Sequence, residues 1–528
     1  MALQLMLQVL ILSFATLAGW IFLHRLKQRR SKDPKTWPLL GAQVETALNL
    51  HRLHDWLFSF FRDDQRTIKL SMLSGDVFFT VDPINVEHIL TTNFRNYPKG
   101  EKANCVRRDF LGNGIFNSDG EMWKRHRKVA SFEFSNKKLR DFSVDAFRED
   151  ALRLVSILQS LHSQRNMSIC RSSCSRFIIW REIIVLAFHI QSIIHDLFMR
   201  MTLDSICRLG FGVSLGCLSP ALPDLPFARA FDTVNEIITT RLFNPFWRFQ
   251  RALNIGKEKI LRQEVHVLNC FTSNIIQQRR LELKGQNDQS KVDLLSRFML
   301  YNKEQPDAFT DRELQDAILN FVIAGRDTSA ITLSWFIFCI CNYPDVADRV
   351  FEEMSDVLGL QDSSQGYTSE EVAKRITYET LGKMHYLHAA LTETLRLYPP
   401  VPRDGKEVAE DDILPDGTRV KQGDRVAYVP YSMGRMKILW GKDALTYNPD
   451  RWLRDGIFQP ESPFKFSAFQ AGPRICLGKE SAYLQMKMTA ALLLYFFRFS
   501  VVPDHVVHYR VMLVMPMVNG LLVRISLR

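Results

Sequence analysis

Near the C-terminus the chain reads FQAGPRICLGK, Phe469 to Lys479, with Cys476 set two residues after Arg474 and two before Gly478. A free cysteine is usually a small buried hydrophobe and only occasionally a ligand or nucleophile. That reading suits the other eight of the nine cysteines: Cys105, Cys170, Cys174, Cys207, Cys217, Cys270, Cys339 and Cys341 are scattered and form no C-x-x-C pair. Their pattern argues against a disulfide framework or a zinc knuckle and for a reducing compartment. Cys476 differs in its surroundings. Gly472 and Gly478 let backbone come close to something flat and bulky. A thiolate needs N–H donors and positive charge, and a tight turn ahead of the helix-like run SAYLQMKMTAALLLYFF could supply both. The arrangement suits a metal ligand held against a cofactor.

Phe469, Gly472, Arg474, Cys476 and Gly478 match F-x-x-G-x-R-x-C-x-G, and the loop resembles the haem-ligand loop of the cytochrome P450 superfamily. The resemblance implies haem b with Cys476 as the iron ligand. Phe469 would support the haem pocket.

Three further motifs stand upstream in the family's order. LNFVIAGRDTSAITLSWF has apolar residues at helical spacing around a polar island, Arg326, Asp327, Thr328 and Ser329. Burying such an island without a purpose is costly. A threonine there can compete for a backbone carbonyl and bend its helix, opening a pocket for water or oxygen. The segment is similar to the superfamily's oxygen-activation motif, which makes Asp327 and Thr328 the candidate catalytic pair. HAALTETLRLYPPVPR places Glu393 and Arg396 on one helix face that Pro399 and Pro400 end. Such a pair alone means little on a surface. Beside PDRW, Pro449 to Trp452, it resembles the pair of motifs in which Glu393, Arg396 and Arg451 form a buried charge triad shaping the cysteine pocket. EMWKRHRKVASFEF sets Trp123 and Arg127 one turn apart, able to face one anion, or else simply part of a basic amphipathic face. By resemblance the anion is a haem propionate, with Arg474 a further partner and Lys406 a weaker one.

Ala2 to Leu23 carries no charge and, at about 1.5 Å per residue, can cross a hydrocarbon core of about 30 Å as a helix. His24, Arg25, Lys27, Arg29, Arg30 and Lys32 follow and by the positive-inside rule stay cytoplasmic. A cleaved signal peptide is the rival reading, opposed by the length of the run and the lack of a charged n-region. DPKTWPLLG then breaks the helix with Pro34, Pro38 and Gly41, like the hinge after the anchor in microsomal members of the superfamily.

Hydrophobic residues are 46% and charged residues 24% of 528, ordinary for a packed globular protein, and no repeat or long linker divides the chain. The expected organisation is an anchor and basic flank over 1–30 and one haem-thiolate monooxygenase domain over 31–528, mainly α with small β-sheets, with a monomeric catalytic unit. A net charge of +11 suits an anionic membrane lipid surface and an acidic protein partner. No zinc finger, RNP-like motif or basic helix supports nucleic acid.

The closer wording, including RLYPPVP, EDDILPDGTRVKQGD, PYSMGRM and SAYLQMKM, resembles the plant fatty-acid hydroxylase clan, most of all its 704 family. That likeness implies an endoplasmic-reticulum, single-pass enzyme with a cytosolic domain. It would hydroxylate a small apolar substrate such as a fatty acid at or near the omega carbon, using O2 and electrons from NADPH through a reductase. The reductase would dock on a basic face around Lys465, Arg474 and Lys479. Two alternatives stand beside it: a relative that rearranges hydroperoxides without O2, disfavoured by Thr328, and a non-catalytic haem-binding or membrane scaffold protein.

Residues 163–192 do not resemble the family, whereas DLFMRMTLDSICRLGFG from Asp196 does again. A lineage-specific helix, a second membrane-surface contact and translated intron sequence would each account for them. The abrupt stop and resumption favour the last.

Overall fold

The computed structural model describes residues 2–29, 33–73, 75–134, 137–172, 193–285, 293–305, 308–360 and 366–528. The expectation of a mainly helical fold with small sheets and one N-terminal membrane-type helix is borne out. Of the atypical stretch 163–192, the first part continues the helix Lys137–Ser172, and 173–192 lie outside the described residues.

The apolar N-terminal run forms one helix, Ala2–Lys27, long and apolar enough to cross a membrane, with a mean hydropathy of 2.1. Its last turn is tied to the proline-containing segment that follows. Arg25 pairs with Glu45 and lies 4.8 Å over the Trp37 ring, while Gln28 Nε2 donates to Thr36 Oγ1 at 2.6 Å.

A four-stranded sheet joins two distant parts of the chain. Thr67–Met72 pairs antiparallel with Gly75–Thr80, which pairs parallel with Arg425–Tyr428, which pairs antiparallel with Asp404–Glu407. The parallel pairing requires a long crossover, and most of the helical body is that crossover.

Within it, Thr328–Asn342 is apolar almost all round, and such a helix must be buried. Ile331, Leu333, Phe336 and Ile337 are fully buried. Around it pack Ile193–Phe211, His385–Leu397 and Lys479–Phe496, the elements that carry the candidate motifs or border them.

Candidate functional site

The cysteine loop is held by backbone bonds that do not depend on the thiol. Ile475 N–H donates to Gly472 O at 3.0 Å and Cys476 N–H to Phe469 O at 2.9 Å. Gly472 has φ +62°, and a Cβ there would run into the Leu90 carbonyl, so only glycine fits. Arg127 Nη1 donates to the Ile475 carbonyl at 2.6 Å, which brings the tryptophan helix Gly120–Phe134 onto the loop. Phe469 packs on Tyr483 with ring centroids 5.3 Å apart.

Cys476 is exposed, yet burial pushes its thiol above its ordinary value. Both hold for a side chain that opens into a recess walled by protein. The Gly478 N–H and the charges of Arg127 and Lys479 oppose the rise, as the turn-and-cation expectation required. Among the remaining described cysteines, Cys207, Cys217 and Cys339 are buried, Cys105 and Cys341 half-buried. Cys270 departs from the expectation of burial: it is exposed, 3.6 Å from His266, on the outer side of its helix.

Glu393 and Arg396 have side chains with no exposure, joined by two bonds of 2.7 and 2.6 Å. Arg451 Nε lies 3.4 Å from Glu393 Oε1. Arg396 also donates to the carbonyls of Gly434, Ala444 and Thr446, stapling the chain ahead of the cysteine loop. Two partners of Glu393 went unassigned in the sequence reading: Trp452 Nε1 donates to Oε2 at 2.9 Å and Asn448 N–H to Oε1 at 2.9 Å. The tryptophan of PDRW was the available signal, since a buried indole N–H needs an acceptor.

Near the loop gathers a cluster of buried cations. Arg474 donates to Asp119 Oδ1 at 2.7 Å and to the Ser118 carbonyl, and its guanidinium lies 4.5 Å over the buried Trp123 ring. It therefore points inward, with only 8% of its side chain exposed, and contributes nothing to a docking surface. Lys465 and the exposed Lys479 remain for that role, and Lys465 is paired with Glu461 at 2.7 Å. Lys99 and Lys406 both pair with Asp404. Burial alone would raise the Asp404 carboxyl, but Lys406 and Lys99 hold it below the usual carboxylate range. Arg107 lies within the same field. Lys99, Arg107 and Asp404 carried no local signal in the sequence.

These groups test whether a haem fits. Four cations, Lys99, Arg107, Lys406 and Arg474, face two carboxylates, Asp119 and Asp404, and Arg127 and Arg425 add positive charge to the same field, so cations outnumber carboxylates. Lys406 Nζ, Arg107 Nη2 and Arg474 Nε are buried without a hydrogen-bond acceptor. Lys406 Nζ does reach Asp404 Oδ2 at 3.1 Å, but out of hydrogen-bond alignment. A group bearing two carboxylates would satisfy both the charge and the orphaned donors. The two propionates of a haem meet that demand.

The helix Asp311–Val322 continues into Thr328–Asn342 through a π-turn, Ile323–Asp327. Such a turn widens the helix and frees carbonyls. Thr328 Oγ1 donates to Ala324 O at 2.6 Å, the competition for a carbonyl anticipated from sequence, and Thr202 Oγ1 donates to Arg326 O at 2.9 Å. At Gly325 a Cβ would stand 2.7 Å from Ile206 Cδ1, so a side chain there would require the Ile206 side chain to shift. The buried polar island is neutralised by a residue the sequence reading missed. Arg326 Nη1 lies 2.7 Å from Asp232 and 3.2 Å from Asp327, and Asp232 is half-exposed. Burial pushes the Asp327 carboxyl up to about 7, against the pull of Arg326 and with the help of Asp232. Leu477, next to Cys476, packs on the apolar cluster that contains Phe321, Val322 and Ile323, so the loop and the π-turn border one cluster.

Comparison with known proteins agrees with this site. The Cytochrome P450 family profile matches residues 32–520. The chain is 46% identical over 97% of its length to "Cytochrome P450 704B1" of Arabidopsis thaliana, covering 98% of that protein. It is 42% identical to "Cytochrome P450 704C1" of Pinus taeda, over 93% of this chain and 92% of that one. To "Cytochrome P450 86B1" of Arabidopsis thaliana it is 39% identical, over 96% and 88%. A cysteine on a glycine-bounded loop, a cluster in which cations outnumber carboxylates and near-complete alignment lead to one conclusion: the chain belongs to the cytochrome P450 family, is similar to its 704 members, and is a haem-thiolate monooxygenase.

Proposed function

We propose that this monooxygenase hydroxylates a long-chain fatty acid at or near its terminal methyl, with O2 and with electrons that a flavoprotein reductase draws from NADPH. Residues 1–30 anchor it in the endoplasmic-reticulum membrane, and 31–528 form the catalytic unit on the cytosolic side. The likeness to the plant fatty-acid hydroxylase clan supports the substrate. The observation that carries the reading is the Cys476 loop and the π-turn at Ile323–Asp327 bordering one apolar cluster.

Cys476 would hold the iron. Lys99, Arg107, Lys406 and Arg474 would surround the propionates, with Trp123 and Arg127 beside them and Glu393, Arg396, Arg451 and Phe469 shaping the pocket from behind. When bound, the haem supplies the activation of dioxygen. The chain's own part is proton supply. Asp327, with a carboxyl near 7, can hold and release a proton at neutral pH. Thr328 Oγ1 spends its proton on Ala324 O, which leaves its lone pairs free to accept one. The hydroxyl also favours oxygen activation over hydroperoxide rearrangement.

Product analysis of microsomes expressing the chain, given NADPH and a panel of fatty acids, tests the reading. Products hydroxylated at or near the terminal carbon are expected; a panel returned unaltered by a protein with a normal haem spectrum would refute the substrate. Deleting residues 1–30 is expected to release much of the protein from membranes with the haem spectrum intact, because the helix touches the rest through Arg25, His24 and Gln28 at its end. Loss of haem on truncation would show that anchor and core are one unit.

Thr328→Ala is expected to keep haem loading and substrate binding, since one hydroxyl leaves a helix held by its apolar faces. Coupling should fall by about 100-fold, the lower end of the range of general acid–base contributions. NADPH consumption then continues while peroxide rises and hydroxylated product drops. An unchanged ratio of product to NADPH would remove Thr328 from the proton path.

A further inference from the structure

The strand Asp404–Glu407 carries charged side chains on both of its faces. In register with Arg425–Tyr428, Asp404 stands opposite Tyr428 and Lys406 opposite Val426, while Gly405 stands opposite Ala427 and Glu407 opposite Arg425. Side chains alternate along a strand and cross-strand partners share a face. Asp404 and Lys406 therefore belong to the face where Lys99 and Tyr428 donate to Asp404, the face assigned above to the propionates. Gly405, Glu407 and Arg425 belong to the other, and Arg403, just ahead of the strand, lies within the field of Arg425.

Beside that second face Arg403 has no counter-charge. Among the described residues it makes no hydrogen bond or ion pair, and its guanidinium lies 5.6 Å over the Phe243 ring. Burial and the nearby Arg425 push its pKa down to about 10, so it stays charged at neutral pH. Arg425 also lacks a hydrogen bond or ion pair among the described residues, and its Nη2 sits 3.6 Å from where a Cβ on Gly405 would stand. The carboxylate on this face, Glu407, accepts from the Lys102 N–H at 3.3 Å and offsets part of the Arg425 charge, which leaves Arg403 unopposed. Both side chains are half-buried, and two guanidiniums side by side in a partly desolvated place repel one another. An anion between them removes that repulsion, and the planar fork of arginine donors matches a carboxylate. Gly405 and Ala427 add little bulk beside Arg425, and Phe243 offers an apolar wall to the carbons behind it.

We propose that Arg403, with Arg425 beside it, binds the carboxylate of the substrate and gives the enzyme its preference for a free acid over the ester. The proposal rests on the fatty-acid reading above and goes beyond it by naming the anchor.

The test measures dissociation constants from the substrate-induced Soret shift of the full-length holoenzyme, for palmitic acid and for methyl palmitate. Wild type is expected to bind the acid about 10- to 100-fold more tightly than the ester, the range for a charge-assisted hydrogen bond. Arg403→Gln should remove that preference by weakening the acid alone, and Arg403→Lys should retain part of it. Equal binding of acid and ester by wild type overturns the anchor while leaving the fatty-acid reading standing. So does an equal loss of acid and ester binding in Arg403→Gln, which would mark a structural role. Should Arg403→Gln fail to take up haem, the wild-type comparison decides by itself. Binding of neither compound by wild type overturns the fatty-acid reading and the anchor together.

Discussion

Cys476→Ala is expected to abolish the thiolate-type Soret band of the reduced carbon monoxide complex and, with it, all hydroxylation. The expectation rests on the poverty of alternatives among the described cysteine side chains; those of Cys170 and Cys174 lie outside them. Burial drives the Cys207, Cys217 and Cys339 thiols up, which suits inert core residues, and Cys341 is pushed up to about 12. Cys105 donates to the Lys102 carbonyl, and Cys270 stands on an exposed helix face. Among the described residues no group of three or more His, Cys, Asp or Glu could hold a metal ion. The alanine variant should still fold, because the bonds that shape the loop run through backbone atoms and Arg127. Far-ultraviolet circular dichroism of the variant should match that of wild-type apoprotein. A variant that kept the thiolate spectrum would show that another sulfur ligates the iron, and the assignment of this loop would fall.

What the sequence disclosed depended on how far apart the cooperating groups lie. The cysteine loop was legible because its chemistry is packed into one turn, where glycine, arginine and cysteine each have a local reason to be present. The helix break was legible for the same reason: Thr328 reaches a carbonyl four residues back. Asp232, which neutralises Arg326, comes from a different helix and left no trace in the motif. The cation cluster was least visible. Lys99 meets Asp404 across 305 residues of chain, and their meeting follows from the parallel pairing of Gly75–Thr80 with Arg425–Tyr428, which no local pattern encodes. Alternation on the strand Asp404–Glu407 could be guessed, but which face holds which partners required the register. The same limit explains the mistaken placing of Arg474 on a docking surface: its neighbours Pro473 and Ile475 are exposed, and only the packing of Trp123 and Asp119 turns its side chain inward.

Arg396→Ala is expected to cost so much stability that little haem-loaded protein accumulates. Arg396 makes five bonds from a position with no exposure, two to Glu393 and one each to the Gly434, Ala444 and Thr446 carbonyls. Removing it leaves Glu393 buried with Arg451 Nε at 3.4 Å as its nearest cation, and leaves three carbonyls without this donor. Breaking a buried pair from one side costs about 3–5 kcal/mol, and an orphaned buried acceptor about 1–3 kcal/mol more, though the terms do not add. Against a total stability of about 5–15 kcal/mol, that is enough to empty the folded state of a marginal protein. Arg396→Lys should recover only a fraction, because an ammonium cannot present donors in the fork that reaches Glu393 and the carbonyls together. Arg349 provides the control. It makes an equally well-formed two-bond pair with Asp450, at 2.7 and 2.7 Å, but both side chains are half-exposed. Solvent screening reduces such a pair to at most about 1 kcal/mol, so Arg349→Ala should barely move the urea midpoint. Arg349 also lies 4.0 Å over the Tyr386 ring, as Arg396 lies 5.2 Å over that of Trp440, so the two variants lose the same kinds of contact and differ chiefly in burial. Equal shifts in the two variants, with haem content preserved in both, would show that the Glu393–Arg396 pair is not what holds the chain around the cysteine loop in place.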